Sequence, residues 1–282
     1  MIAEKMIDRR GMTMKPSLMK VCLAVGLMGP SSAAVAHFPT IPVRWCAPDA
    51  VMAGTVCLDR YEASVWRVPE PTTTNAILVR KIRQGRATRA DLTAGGATQL
   101  GTEGDDYAPC TRNGQTCAND VYAVSLPAEI PSASITWFQA QEACANAGKR
   151  LPTNAEWQVG ANGTPDPGPD NGTTDCNTDT PLVSLTGARS SCVSARGAFD
   201  MVGNLAEWVA DWVPLSTQCL EWGGFSNDIM CLSGASTTGS GPGALLRGGY
   251  YFFFGTLAGP LAVFGTFEPF DAFHFIGFRC AR

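Results

Sequence analysis

The chain is expected to fold as an α+β domain with low regular secondary structure, stapled by disulfides. Three observations predict this. Ten of its eleven cysteines lie beyond residue 45, an even number spread over the chain. Two helices are marked by capping boxes at Thr136 and Thr153. Most of the remainder is Gly, Pro, Asn, Asp, Ser and Thr punctuation around short strand-like runs, as at 161–181 and 233–243.

In chain order, residues 1–36 read as a secretory signal peptide. A basic stretch, MIAEKMIDRRGMTMKPSLMK, precedes a short apolar run, VCLAVGLMG, and SSAAVA places small residues before a cleavage site after Ala36. The apolar run is too short for a spanning helix. The basic part is long for a signal, so Met12 and Met14 are alternative starts; Lys20 and Val21 beside Cys22 are poor company for a lipid-modified cysteine. The protein is therefore expected to be secreted, periplasmic or at the cell envelope.

From residue 37 a single domain is expected to reach residue 282. CAPDAVMAGTVCLDRYEASVW suggests one or two strands closed by a small loop. Residues 69–120 are poor in apolar side chains and interrupted by RKIRQGRATR, which predicts a loop-rich insertion without its own core. Thr136 and Gln139 predict a helix ending at Gly148, and Thr153 and Glu156 predict another ending near Gly160. LLRGGYYFFF and FIGFRCAR read as strands near the end.

Charge excludes some functions. Residues 1–36 hold five of the 21 Lys and Arg and two of the 25 Asp and Glu, leaving 16 against 23, a formal −7. No serial basic patch remains to neutralise phosphates, so nucleic acid is not an expected partner. Beyond the short apolar run of residues 1–36, no long apolar segment free of Gly and Pro occurs, so a membrane span is not expected.

In an exported chain the cysteines read as a disulfide framework. Close spacing suggests Cys46–Cys57, Cys110–Cys117, Cys176–Cys192 and Cys219–Cys231, which leaves Cys144 and Cys280 for each other. Zinc is disfavoured, because no CxxC occurs and His37 and His274 are the two histidines.

Four segments in order, ITWFQAQEACANAGKRLPTNAEWQVGANG, GAFDMVGNLAEWVADW, LLRGGYY and IGFRCAR, together resemble the sulfatase-modifying-factor family, that of the formylglycine-generating enzymes; CLDRYEASVW resembles its opening segment. The resemblance covers roughly residues 41–282. It implies a C-type-lectin-like fold of the formylglycine-generating type and supports the Cys144–Cys280 pairing. Arg150, within the hallmark GKRLP, is expected to pin loops.

Active members of that family oxidise a substrate cysteine with two copper-holding cysteines, four and nine residues after the Arg-Gly-Gly motif. Here Arg247-Gly248-Gly249 is intact, but the matching positions are Phe253 and Ala258. Soft Cu(I) needs thiolates, which a phenyl ring and a methyl group cannot supply, so no copper is expected. Related iron enzymes use three histidines, which this chain lacks. The run Tyr250–Phe254 reads first as packing, with alternation placing Phe252 and Phe254 on one face and Tyr251 and Phe253 on the other. A ligand groove at Tyr251, Phe253 and His274 is the alternative, although a lone His274 in FDAFHFIGF reads first as a packed or partly exposed core residue.

The resemblance also implies calcium at DMVGNLAEW, with carboxylate oxygens from Asp200 and Glu207 and main-chain carbonyls from Gly203 and Leu205. The plainer alternative has Asp200 capping a short helix and Glu207 in a surface ion pair. The combined expectation is an exported, non-catalytic family member binding or assembling with a protein or glycan. The rival is a formylglycine-generating-type oxidase or other metal-dependent oxidoreductase with a relocated site.

Overall fold

Ala50–Ala53 (β1) and Val56–Asp59 (β2) pair as an antiparallel hairpin, Ala50 opposite Asp59, and Cys57 of β2 is bonded to Cys46. A third strand, Ala63–Arg67 (β3), follows, one more than the sequence suggested. The computed structural model describes residues 45–222, 224, 226–236, 241–252 and 255–282. The signal peptide expected at 1–36 lies outside these residues, as do His37 and Phe253.

The 69–120 segment adds three short elements to the expected loops. Most of it is loop and turn, and within these it carries helices Ala76–Arg83 (α1) and Arg89–Ala94 (α2) and the strand Thr98–Leu100 (β4). Thr88 caps α2 by a box with Asp91. The segment does lack a core of its own. Leu78, Val79, Ile82 and Leu92 pack instead on Trp66, Val68, Tyr122 and Val124, the outer face of β3 and of Val121–Ser125 (β5). Composition within the segment could not show that the missing half of this core lay elsewhere in the chain.

β3 sits between β4 and β5 in an antiparallel sheet, Val65 opposite both Leu100 and Ala123. The inner face of this sheet packs on Trp137–Asn146 (α3). Thr136 and Gln139 form the reciprocal cap of α3, and Gly148 follows its end at φ +70°. Asn154–Ala161 (α4) is capped in the same way by Thr153 and Glu156.

The remaining strands are Ala206–Pro214 (β6), Gln218–Glu221 (β7), Ile229–Ser233 (β8), Pro242–Arg247 (β9), Val263–Phe267 (β10) and Ile276–Phe278 (β11). They form one mixed sheet in the order β11-β6-β9-β10-β8-β7, with β11–β6 and β10–β8 parallel. Side-chain alternation divides the core. Trp208, Leu246 and Phe264 face α3 and the three-stranded sheet. Val209, Leu245 and Val263 face α4, Trp157 and the β1–β2 hairpin. Fully buried Trp157 and Trp208 anchor the two halves, each aromatic burying on the order of 150–250 Å².

Four of the cysteine pairs are those that close spacing suggests, and the fifth joins the two cysteines left over, as the family resemblance implies. Cys110–Cys117, Cys176–Cys192 and Cys219–Cys231 tie loops, and Cys144–Cys280 fastens α3 to the end of the chain. Five disulfides suit an oxidising compartment outside the cytoplasm. Among the described residues no helix is long and apolar enough to cross a membrane.

Candidate functional site

Arg247-Gly248-Gly249 closes β9. The two glycines adopt φ +88° and +77°, which ends the strand. The expected alternation is therefore overturned at residues 250–252, where no strand runs and Tyr251 and Phe252 lie in a turn; Phe253 and Phe254 lie outside the described residues. Tyr250 and Tyr251 turn inward and Phe252 is 40% exposed. Tyr250 stacks on Phe275 with ring centroids 4.3 Å apart, and burial pushes its hydroxyl up to about 12. Phe252 lies parallel to the exposed ring of His274 at 5.7 Å. His274 is thus a surface residue, and Tyr251 reaches it at 6.4 Å. Two members of the suggested groove meet, and the third, Phe253, is outside the described residues.

Ala258 occupies the second copper-cysteine position. It is fully buried with the Cys176–Cys192 disulfide and Val202. It also presses on the glycine turn, since a Cβ at Gly249 would lie 2.5 Å from its own. Arg247 is structural here. Its guanidinium donates to the Ala262 and Pro260 carbonyls at 2.9 and 3.1 Å and to Gln158, and lies 4.8 Å over the Trp157 ring. Burial lowers its pKa to about 10, against the opposing charge of Asp228.

Asp228, buried, accepts from the Leu261 N–H at 2.6 Å. Burial, the Asp228 charge and their shared hydrogen bond push Asp166 up to about 6. Asp228 also lines a cavity of about 500 Å³ with Cys219 and Leu257. Sequence reading passes over this pair because 62 positions separate its members and each stands among turn residues.

The expected calcium residues share one turn. Asp200 and Gly203 take φ +57° and +70°, and a Cβ at Gly203 would run into the Asn177 carbonyl. Asp200 accepts from the Gly187 N–H at 2.7 Å, so it caps no helix. Glu207 is no surface residue: its carboxylate takes three contacts from Arg279 at 2.6–2.9 Å and one from Trp157 Nε1 at 2.7 Å. Arg279 reaches on to the Phe199 and Asp200 carbonyls. Glu62, missed by sequence reading, joins them and accepts from the Leu205 N–H at 2.9 Å and from Asn204. Burial, with the charges of Asp200 and Glu207, holds Glu62 well above the usual carboxylate range. Burial also pushes Asp200 up to about 7.

Three buried acids thus gather near one guanidinium, which pairs with the Glu207 carboxylate and meets Asp200 through its carbonyl, and oxygen donors of this kind suit a hard cation better than a soft one. Among the described residues no three His, Cys, Asp or Glu side chains converge as ligands. A cation here would have to draw on the main-chain oxygens of Gly203 and Leu205 as well.

Arg150 pins loops, as its motif suggests. Its guanidinium forks Glu156 at 2.7 Å twice and bonds the Leu151 carbonyl. This holds Glu156 down to about 2.

The described residues form an α+β frame of three sheets, four helices, three of them closed by capping boxes, and five disulfides, with ordered loop between them, consistent with the C-type-lectin-like fold that the family resemblance implies. Residues 98–282 match the sulfatase-modifying factor enzyme 1-like domain, and the chain belongs to that family. The match begins later than the resemblance at 41–282, leaving CLDRYEASVW outside it. The chain is similar to the Major Tropism Determinant P3c variant at 18% identity and a TM-score of 0.44, covering 82% of this chain and 51% of that one. It spans about half the length of those structures. It is also similar to PvdO from Pseudomonas aeruginosa, at 21% identity, a TM-score of 0.43 and 80% coverage of each chain. Among curated proteins none matches the chain.

Proposed function

We propose that the chain is an exported, non-catalytic member of this family that acts as a binding or assembly module for a protein or glycan. One observation carries the reading. Where copper-dependent members need a thiolate, Ala258 is buried against a disulfide and the glycine turn. All ten cysteines from Cys46 onward are paired. A rigid, cross-linked frame carrying variable loops suits recognition. Calcium belongs to this reading as a structural ion, held by Asp200, Gly203, Leu205 and Glu207, with Glu207 shared with Arg279; the excess of buried carboxylates supports it. Bound there, it would neutralise charge and fix the turn.

The second reading, a metal-dependent oxidoreductase with a relocated site, rests on the Asp166–Asp228 pair beside its cavity. Metal analysis and a thiol count on the exported protein separate the two. The first predicts calcium, no stoichiometric copper and no free thiol. Copper bound one to one, or formylglycine formed on a sulfatase-motif peptide, would establish the second.

A further inference from the structure

A different face of the molecule carries a basic cavity of about 560 Å³ where the Cys46–Cys57 disulfide meets the end of α1. Trp45, Arg83, Arg86 and Arg282 line it. The concentration of positive charge runs against a chain whose formal net charge is −4.

The nearby acids neutralise Arg282, which also donates to the Ile82 carbonyl, but not Arg83 or Arg86. Asp49 is divided between Arg282, at 2.8 and 3.2 Å, and Lys149 at 2.9 Å. Asp59 takes Lys149 at 2.7 Å and the Cys280 N–H at 3.2 Å. Arg83 spends its Nε on the Asn146 carbonyl at 2.9 Å, and its two terminal nitrogens make no hydrogen bond among the described residues. The exposed Arg86 donates its main-chain N–H to the Lys81 carbonyl at 2.9 Å, and its side chain makes no hydrogen bond or ion pair among them. The Arg282 Nε is buried without a partner. Beside these donors stands Trp45, 87% exposed, a large flat apolar face left in water.

Guanidinium forks match the planar or tetrahedral oxygens of carboxylate and sulfate. The cavity has room for more than a lone oxyanion. An aromatic face beside fixed cations suits a ring with one apolar side and an acidic substituent. We infer that this cavity binds an acidic saccharide: its carboxylate or sulfate lies among Arg83, Arg86 and Arg282, and the C–H face of its ring stacks on Trp45. This deepens the binding-module reading and rests on it, naming a ligand class and placing it away from the Arg-Gly-Gly turn.

The test is calorimetric titration of the disulfide-intact protein with three hexasaccharides: heparin-derived (sulfated), oligogalacturonate (carboxylated) and cellohexaose (neutral). Binding of either acidic sugar, weakened by raised salt, is expected, and the arm that binds tells sulfate from carboxylate. Arg86→Gln, which breaks no internal contact, should weaken it about tenfold. Trp45→Ala should weaken it several-fold at unchanged salt dependence. Equal binding of cellohexaose, insensitivity to both substitutions, or inorganic sulfate competing as well as the sugar would overturn the assignment, as would no binding at all. Copper uptake or formylglycine formation would instead strike the binding-module reading, in assays that do not depend on these titrations.

Discussion

Arg279 and Glu207 face each other inside the protein, joined by three contacts of 2.6–2.9 Å, with neither side chain reaching solvent. The pair links β6 to the residue that follows β11 and turns the guanidinium toward the carbonyls of residues 199 and 200. Removing one partner leaves the other charge buried and unmatched. Glu207→Gln or Arg279→Met should each cost about 3–5 kcal/mol in denaturant unfolding, and the double substitution less than their sum.

Calcium at the same turn makes a separate prediction. Millimolar calcium should raise the Tm and a chelator should lower it, and Asp200→Asn should remove the response. No calcium in metal analysis and no Tm shift would exclude the site.

Two carboxyls give opposite pH signatures. Asp166 holds its proton up to about 6 when folded, against 3.8 ordinarily. The folded state therefore binds the extra proton between those values, and this contribution to stability is lost as pH rises through 6. Glu156, held down to about 2 against 4.5, contributes above 4.5 and loses that contribution as pH falls toward 2. Unfolding curves for Asp166→Asn and Glu156→Gln, each subtracted from those of the parent protein, should slope in these two windows and be flat outside them.

The Cys144–Cys280 bridge spans 136 residues, the widest of the five separations. Paired replacement by serine should cost about 4–5 kcal/mol by chain entropy. Loss of Cys46–Cys57, separated by 11, should cost less. Equal losses would show that strain or residual structure, not loop length, governs both.

Ala258→Cys restores one family thiol in sequence. Its site is closed by the disulfide, Val202 and Gly249. The new thiol should react slowly with an aqueous reagent in the folded protein, fail to recruit copper, and cost about 1–3 kcal/mol by overpacking. Rapid modification or copper binding would show that the pocket is open.

Much of this was legible locally. A capping box is a contract between residues three apart, so α3 and α4 could be read from Thr136, Gln139, Thr153 and Glu156. Close cysteine spacing suggested four bridges for the same reason. The candidate site was less legible. Glu207 stood in a readable motif, but Glu62 lies 145 positions earlier and Arg279 lies 72 later, and nothing local marks them as its neighbours.

By itself the sequence determined the fold class, the family and the missing copper thiols, because these depend on which side chains are present and on contacts between near neighbours. The tertiary structure alone decided that residues 69–120 borrow the outer face of β3 and β5, that His274 faces water and that Glu62 and Asp200 gather near the Glu207–Arg279 pair. It also brought Trp45, Arg83, Arg86 and Arg282 around one cavity. Burial and long-range charge are properties of the packed chain, and no reading along a line can supply them.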